Sequence, residues 1–495
     1  MRTIKLKIDS LISVEGVTDL PRKSVQYWKN KLTLPNPAYI QKKRLNLPTW
    51  GTPPKIFLWE TKMQSDELCL SRGVLEEITR EIEALETSKL KIEIIDRRVV
   101  HPTITFNSDI KLRDYQEDIP RIAIEKEQGL IISPAGSGKT EIGHELIARL
   151  GQPTLWLTHT KDLLEQSRRR AINKLNLKEG EWGTVGIGEY SLGSHVTFAT
   201  VQTLARYSNT DLMNFCLNFG CIIVDEAHRA AAGIKTMSMF ERVLTFCPAK
   251  YRYGLTASDH RADGLMASVH LILGGVIAEI KREEIQEHLI TPKIVFVPTV
   301  YKYSYDPDTY KYMPFTSMLS DMALNFIRNE KIVSTILKER GRSSLILGDS
   351  LIHLEALIEF LKIMDPSAKV EYIHGGTPTA ERKRILEDMT LRKSDYLFAT
   401  YALAKEGLDI PCLERLFLVS PKKDKTVVEQ AIGRVSRPYK DKTDAIVYDF
   451  WDLNMDICNK QARNRVRTVY MQQGCEIIGG PKVRQNKSVE QYLKF

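Results

Sequence analysis

Two adjacent carboxylates, Asp225 and Glu226, follow the apolar run Cys221-Ile222-Ile223-Val224. A short run rich in β-branched residues reads as a buried parallel strand, and its carboxyl end is where open α/β sheets bind ligands. Acids at such an edge are costly unless a cation or a catalytic task holds them. Mg²⁺ is the fitting cation, because it takes one or two carboxylates together with substrate phosphates. Asp225 is then the metal ligand and Glu226 the base that orients the attacking water. A strand that merely ends in solvated acids is the bland alternative.

Upstream, Ser133-Pro134-Ala135-Gly136-Ser137-Gly138-Lys139-Thr140 has the composition of a phosphate-binding loop. Its glycines let the backbone N–H groups of Ala135, Gly136, Ser137 and Gly138 wrap phosphates at a helix N-terminus. Lys139 reaches the β/γ oxygens and Thr140 holds Mg²⁺, so ATP and Mg²⁺ are the implied cofactors. Ser133 stands where the strict pattern has its first glycine. Further on, Gln430-Ala431-Ile432-Gly433-Arg434-Val435-Ser436-Arg437 places two arginines about one helical turn apart. Phosphoryl transfer gains most from positioning and from charge stabilisation at the γ-phosphate, which makes Arg434 and Arg437 candidate fingers. A basic helix end on a solvated surface would look the same.

Positioning these groups requires alternating strands and helices. The first block predicts strand 129–133, a loop, helix 140–150, strand 154–158, helix 161–174, strand 195–200 and strand 221–225. The second predicts strand 344–347, helix 351–363, strand 370–373, helix 379–389, strands 396–399 and 415–419, helix 426–434 and strand 445–449. That is an α/β fold of two doubly wound parallel-sheet lobes with a cleft able to open and close. Residues 1–105 break this pattern with prolines and a predicted helix at about 65–88, and read as a small α+β accessory domain. The divisions are 1–105, 106–290 for the first lobe, 291–455 for the second, and 456–495 as a basic tail.

The 495 residues carry a net charge of +9, and the excess lies at the ends. Residues 1–50 hold ten Lys/Arg against three acids, and residues 456–495 hold eight against three. Basic ends suit a polyanion partner. Seven scattered cysteines without a C-x-x-C pair read as free thiols in a reducing compartment. No signal peptide and no run long enough to span a membrane is seen, so an intracellular, cytoplasmic location is expected without a membrane partner.

The ordered blocks resemble a superfamily 2 helicase of the DExH type, reading Asp-Glu-Ala-His at 225–228. Leu112-Arg113-Asp114-Tyr115-Gln116 is similar to the segment whose glutamine contacts adenine, which assigns Gln116. The stretches around Thr160, around Thr200 and Gln202, and at Phe398-Ala399-Thr400 resemble blocks that contact the nucleic acid backbone, which assigns Thr160, Thr200, Gln202 and Thr400. Leu255-Thr256-Ala257-Ser258 resembles the block coupling hydrolysis to strand contact, so Thr256 and Ser258, with His228 and Gln430, take coupling roles. Gly407 and Asp409, in Glu406–Pro411, would contact nucleotide from the second lobe. The resemblance implies two RecA-like lobes that move along nucleic acid with ATP.

Thr256-Ala257-Ser258-Asp259-His260-Arg261-Ala262-Asp263-Gly264 is similar to a block of the double-strand DNA translocases of the XPB and UvsW type. This implies a nucleic-acid-stimulated ATPase acting as a monomer on duplex, forked or junction DNA, of branch-migration, recombination or repair type, in a bacterial or phage-infected cell. An RNA helicase, or the motor subunit of a restriction or defence complex, is the alternative. Residues 1–100, with Lys42-Lys43-Arg44 near Trp50 and Trp59, are expected to set substrate choice and to be removable without loss of the motor's fold.

Overall fold

The computed structural model describes residues 2–482 apart from 88–89, 135, 262, 305–314, 406–407 and 409. The chain divides into two compact units, Met1–Lys281 and Arg282–Phe495.

In the first unit an eight-stranded sheet runs Glu189–Tyr190, Trp182–Gly186, Val196–Thr200, Thr154–Thr158, Cys221–Asp225, Tyr251–Thr256, Gln128–Ile132, Val276–Glu279. Neighbours are parallel except for the Trp182–Gly186/Glu189–Tyr190 hairpin. The three central apolar strands from Val196 to Asp225 are buried at every position, as parallel strands covered on both faces must be. Helix Lys139–Leu150 packs close because Gly143 has no Cβ. One there would sit 2.7 Å from the side chains of Leu255 and Trp156. The register pairs Asp225 with Leu255 and Thr256 with Ile132, so the carboxyl ends of three strands lie side by side.

The second unit carries an all-parallel sheet in the order Val370–Ile373, Tyr396–Thr400, Ser344–Gly348, Arg415–Leu418, Ile446–Asp452, Lys293–Thr299, Ile477–Ile478. The expected pair of doubly wound sheets is therefore present. Lys293–Thr299 escaped the sequence reading, as did Trp182–Gly186 and Val276–Glu279. The segment expected as a basic tail is folded over its first part. Helix Asp456–Arg465 buries Cys458 and Ala462, and Arg465 turns inward to pair with Asp449 at 2.7 Å. Tyr470 donates to the same carboxylate at 2.6 Å. A buried acid drew the cation in, and composition alone could not show that.

The N-terminal part of the first unit is a five-stranded sheet in the order Trp59–Lys62, Glu67–Leu70, Ile12–Glu15, Arg2–Ile8, Leu90–Asp96. The helix expected over 65–88 is shorter, Leu75–Glu83. Glu67–Leu70 is instead a central strand, paired on one side with Ile12–Glu15 and on the other with Trp59–Lys62. Tertiary pairing overrode the local spacing of Leu68.

This sheet is joined to its neighbour by more than chain connectivity. The buried Arg72 guanidinium donates to the carbonyls of Asp9, Ala249 and Lys250 and to the Gln128 amide, bridging both sheets. Arg252 donates back to Ser10 O at 3.1 Å, and Asn36 to Ile234 O at 3.0 Å. One apolar cluster runs from Ile4 through Leu70 and Val74 to Ile272 and Leu273. Residues 1–100 thus share a core and buried hydrogen bonds with the rest of the first unit, and we propose that they cannot be removed without loss of its fold. A chain of residues 101–495 should aggregate or lack a cooperative melt, because it exposes that core and strips buried polar groups of partners. A soluble truncation with a sharp thermal transition would contradict this.

Candidate active site

Strand Gln128–Ile132 leads into Ser133, whose N–H donates to Thr256 O at 2.8 Å, so the loop starts locked to the neighbouring strand end. Ser137 Oγ lies 2.5 Å from both Ser133 Oγ and Pro134 O, closing the loop on itself. Ser133, where a glycine was expected, therefore serves as an internal brace. Gly136 and Gly138 have φ of +89° and +84°, the left-handed region that side chains resist. A Cβ on Gly138 would also lie 2.5 Å from Gln116 Nε2. Gly138 begins helix Lys139–Leu150 without a side-chain cap, leaving its first N–H groups for an anion. Ala135 lies outside the described residues, and Thr140 is half-buried in the helix's first turn.

Lys139 is the centre of the cluster. Its Nζ lies 2.6 Å from Glu226 Oε1 and 3.5 Å from Asp225 Oδ1. Burial works against its charge, but the two carboxylates outweigh that and hold its pKa above the usual lysine value. Burial pushes Asp225 up despite Lys139. Burial acts the same way on Glu226, yet Lys139 and His228 overcome it and keep this carboxyl well below the ordinary range. Glu226 is therefore held as a carboxylate. Glu226 also has φ of +51°, a left-handed backbone at a non-glycine residue, which costs on the order of 1–3 kcal/mol and tends to be kept at functional sites. That turn lets its N–H donate to Asp225 Oδ1 at 2.9 Å while its carboxylate reaches Lys139.

His228 Nδ1 lies 3.3 Å from Glu226 Oε2 and 3.4 Å from Thr256 Oγ1, so the residue touches both the acid and the next strand end. Burial lowers its pKa, leaving a neutral imidazole near pH 7. Thr256 Oγ1 donates to Ser258 O at 3.1 Å. The structure thus brings His228, Thr256 and Ser258 together. Arg261, to which sequence reading gave no role, donates to His228 O and pairs with Asp263 at 2.5 Å. The Arg-x-Asp spacing was the signal for that pair.

Other expected contacts lie differently. Gln116 is 3% exposed, accepts from Arg113 N at 2.9 Å and donates to Ser137 O at 2.6 Å, so it braces the phosphate loop. Thr160 caps helix Lys161–Lys174 through Leu163 N. Thr200 is 5% exposed and bonds Thr203 at 2.8 Å, while Gln202 donates to His159 O at 2.6 Å. Thr200, at the end of its buried strand, and Gln202, in the helix Val201–Leu204 that follows, thus have partners within the first unit. Thr400 is half-buried at the carboxyl end of its strand.

On the second unit, helix Lys425–Val435 carries Gln430, whose Oε1 is buried with no partner among the described residues. Arg434 is 8% exposed and donates to Leu408 O within the second unit. Arg437 is less buried, and Lys442 holds its carbonyl at 2.9 Å, fixing the turn that presents it. Gly407 and Asp409 lie outside the described residues.

No group of three or more His, Cys, Asp or Glu side chains among the described residues forms a metal cage. The buried Asp225 carboxylate and the Thr140 hydroxyl beside Lys139 nevertheless fit Mg²⁺, which binds few protein oxygens and completes its shell with phosphate and water. Among the described residues no helix is long and apolar enough to cross a membrane.

Residues 109–260 match the family described as "Type III restriction enzyme, res subunit", and residues 327–439 match "Helicase conserved C-terminal domain". A probable helicase, D10, of Escherichia phage T5 is 25% identical over 378 residues, covering 75% of this chain and 78% of the relative. The DNA 3'-5' helicase XPB of Mycobacterium tuberculosis is 25% identical over 371 residues, covering 70% of this chain and 62% of that one. Saccharomyces cerevisiae Dbp5, solved bound to RNA and ADP BeF3, shares the fold with a TM-score of 0.55 at 15% identity, over 74% of this chain and 90% of that structure. With the phosphate loop, the acidic strand end and both conserved regions in their order, the chain belongs to superfamily 2 of the helicases, ATP-dependent enzymes that bind nucleic acid.

Proposed function

We propose that the chain is an ATP- and Mg²⁺-dependent DNA translocase that remodels forked or four-way-junction DNA. One observation supports the reading: Lys139, Glu226, His228 and Thr256 form a continuous set of contacts from the phosphate loop to the neighbouring strand end, to which the family resemblance gives the coupling role. When ATP enters, the Lys139 ammonium exchanges its carboxylates for the β/γ-phosphates. That frees Glu226 to accept a proton from the attacking water. Asp225 and Thr140 hold Mg²⁺, which screens phosphate charge when bound. Arg437 is the candidate for the charge developing on the γ-phosphate. His228 carries the change at Glu226 to Thr256 and so to the nucleic acid side.

DNA is favoured over RNA by the Thr256–Gly264 block and by the likeness to a mycobacterial DNA helicase. The match of residues 109–260 to a restriction subunit supports a second reading, a motor working inside a larger restriction or defence assembly. The test is a strand-displacement assay of the full chain alone, with ATP and Mg²⁺, on fork, four-way-junction and RNA duplex substrates. Resolution of the DNA junction with little RNA unwinding supports the proposal. Equal RNA unwinding overturns the DNA assignment, and inactivity until a partner subunit is added favours the assembly.

A further inference from the structure

Between Asp19 and Glu60 the chain holds eight Lys/Arg and no Asp or Glu. This acid-free stretch builds its own small element beside the five-stranded sheet. Helix Arg22–Lys31 leads to strand Thr33–Pro35, then helix Pro37–Arg44, and strand Lys55–Phe57 pairs antiparallel with Thr33–Pro35. A groove of about 860 Å³ runs along it, lined by Pro35, Tyr39, Ile40, Lys43, Arg44 and Lys55. Lys43, Arg44 and Lys55 are exposed and enter no ion pair among the described residues.

The loop closing the element is ordered. Lys42 Nζ donates to Thr52 Oγ1 at 2.8 Å, and Thr52 N donates to Thr49 O at 3.0 Å. This fixed turn carries Trp50 at 93% exposure. Trp59 has a different task, because Lys29 lies 4.6 Å over its ring and its indole N–H donates to Thr33. Asn36 anchors the element: its Oδ1 caps helix Pro37–Arg44, and its Nδ2 donates to Pro53 O and to Ile234 O, just downstream of Asp225–His228.

The geometry points to a second nucleic-acid site: the groove of residues 33–55 grips one DNA single strand, with Lys43, Arg44 and Lys55 on phosphates and Trp50 stacked on a base. The inference rests on the translocase reading and gives it a strand-holding site on the first unit, away from the ATP cluster. Unpaired cations facing an open groove match a polyanion. An aromatic ring held in water on a rigid turn suits a base face, which every nucleotide offers, so binding is independent of sequence. A single strand exposes those faces and a duplex does not.

The test measures fluorescence anisotropy of labelled oligo(dT) with the full chain over a range of salt, together with ATPase activity. K43A/R44A/K55A should keep the parental melt and the ATPase rate without nucleic acid. Its affinity for oligo(dT) should fall about tenfold or more, and its log–log salt slope should flatten by about 2, near 0.7 per lost phosphate contact. Trp50→Ala should weaken binding about tenfold with the slope unchanged. K331A/K338A/K362A, which removes equal charge elsewhere, should bind like the parent.

Parental affinity in the groove variant, an equal loss in the charge control, or no effect of Trp50→Ala overturns the proposal. Unlabelled duplex competing as well as oligo(dT) overturns the single-strand assignment. A parental chain whose ATPase responds to DNA while the groove variant binds normally fails this inference alone. One that neither binds DNA nor responds to it fails the translocase reading as well.

Discussion

A Glu226→Gln chain is expected to bind ATP and fail to turn it over. The amide keeps the side chain's size and an oxygen to accept from Lys139, so the loop and Asp225 should stay in place. It cannot take a proton from water. Positioned general bases contribute about 10²–10⁴ in rate, and a loss of that size should appear in steady-state hydrolysis while binding of a fluorescent ATP analogue is retained. Against burial, Lys139 and His228 hold the Glu226 carboxyl low, and moving the Lys139 cation onto the phosphates makes that carboxylate more basic. Lys139→Ala should behave differently. It removes the phosphate contact and also leaves two buried carboxylates without their cation, a change that costs about 3–5 kcal/mol in comparable pairs. Its signature is weak nucleotide binding with a lowered melting temperature. Hydrolysis by Glu226→Gln near the parental rate would show that another group is the base.

Arg437→Ala is expected to lower turnover by about 10³–10⁵ with nucleic acid affinity nearly unchanged, the range found when an arginine finger is removed. Helix Lys425–Val435 and the Lys442 contact to Arg437 O hold the main chain of this turn, and a thermal melt of the variant checks that it stays in place. Arg434→Ala provides the contrast. Arg434 holds Leu408 O inside the second unit, so its loss should reduce stability along with rate. Turnover, a thermal melt and anisotropy on labelled DNA separate these outcomes. Normal hydrolysis with lost DNA binding in Arg437→Ala would move that residue to the nucleic acid side.

What could be read from sequence was what neighbouring residues decide. Strand Cys221–Asp225 and helix Lys161–Lys174 were placed to the residue, because an apolar run bounded by polar residues and a Thr160 cap are local signals. Glu67–Leu70 was misread because partners dozens of residues away make it a strand. Lys293–Thr299 was hidden by Pro298. The short edge strand Ile477–Ile478 pairs only with Ile294 and Val295, so the proline's missing N–H is harmless there.

The same divide runs through the site. Residue types and spacing located Lys139, Asp225 and Glu226, but not the ion pairs that bring them together. The inward turns of Thr200, Gln202, Arg434 and Arg465 depend on partners that only the folded chain supplies. The buried Arg328–Asp452 pair, 2.7 Å apart and fully enclosed, left no sequence signal because its members are so far apart in the chain.

The central claim is that ATP hydrolysis at Lys139 and Glu226 is driven by DNA. The most direct measurement is the ATPase rate of the full chain with no nucleic acid, single-stranded DNA, duplex, fork and four-way junction, with Glu226→Gln as the background. The expected result is a low rate alone, a large rise with DNA, the greatest rates on fork and junction, and none of it in the variant. A parental rate that is the same with and without every DNA would contradict it.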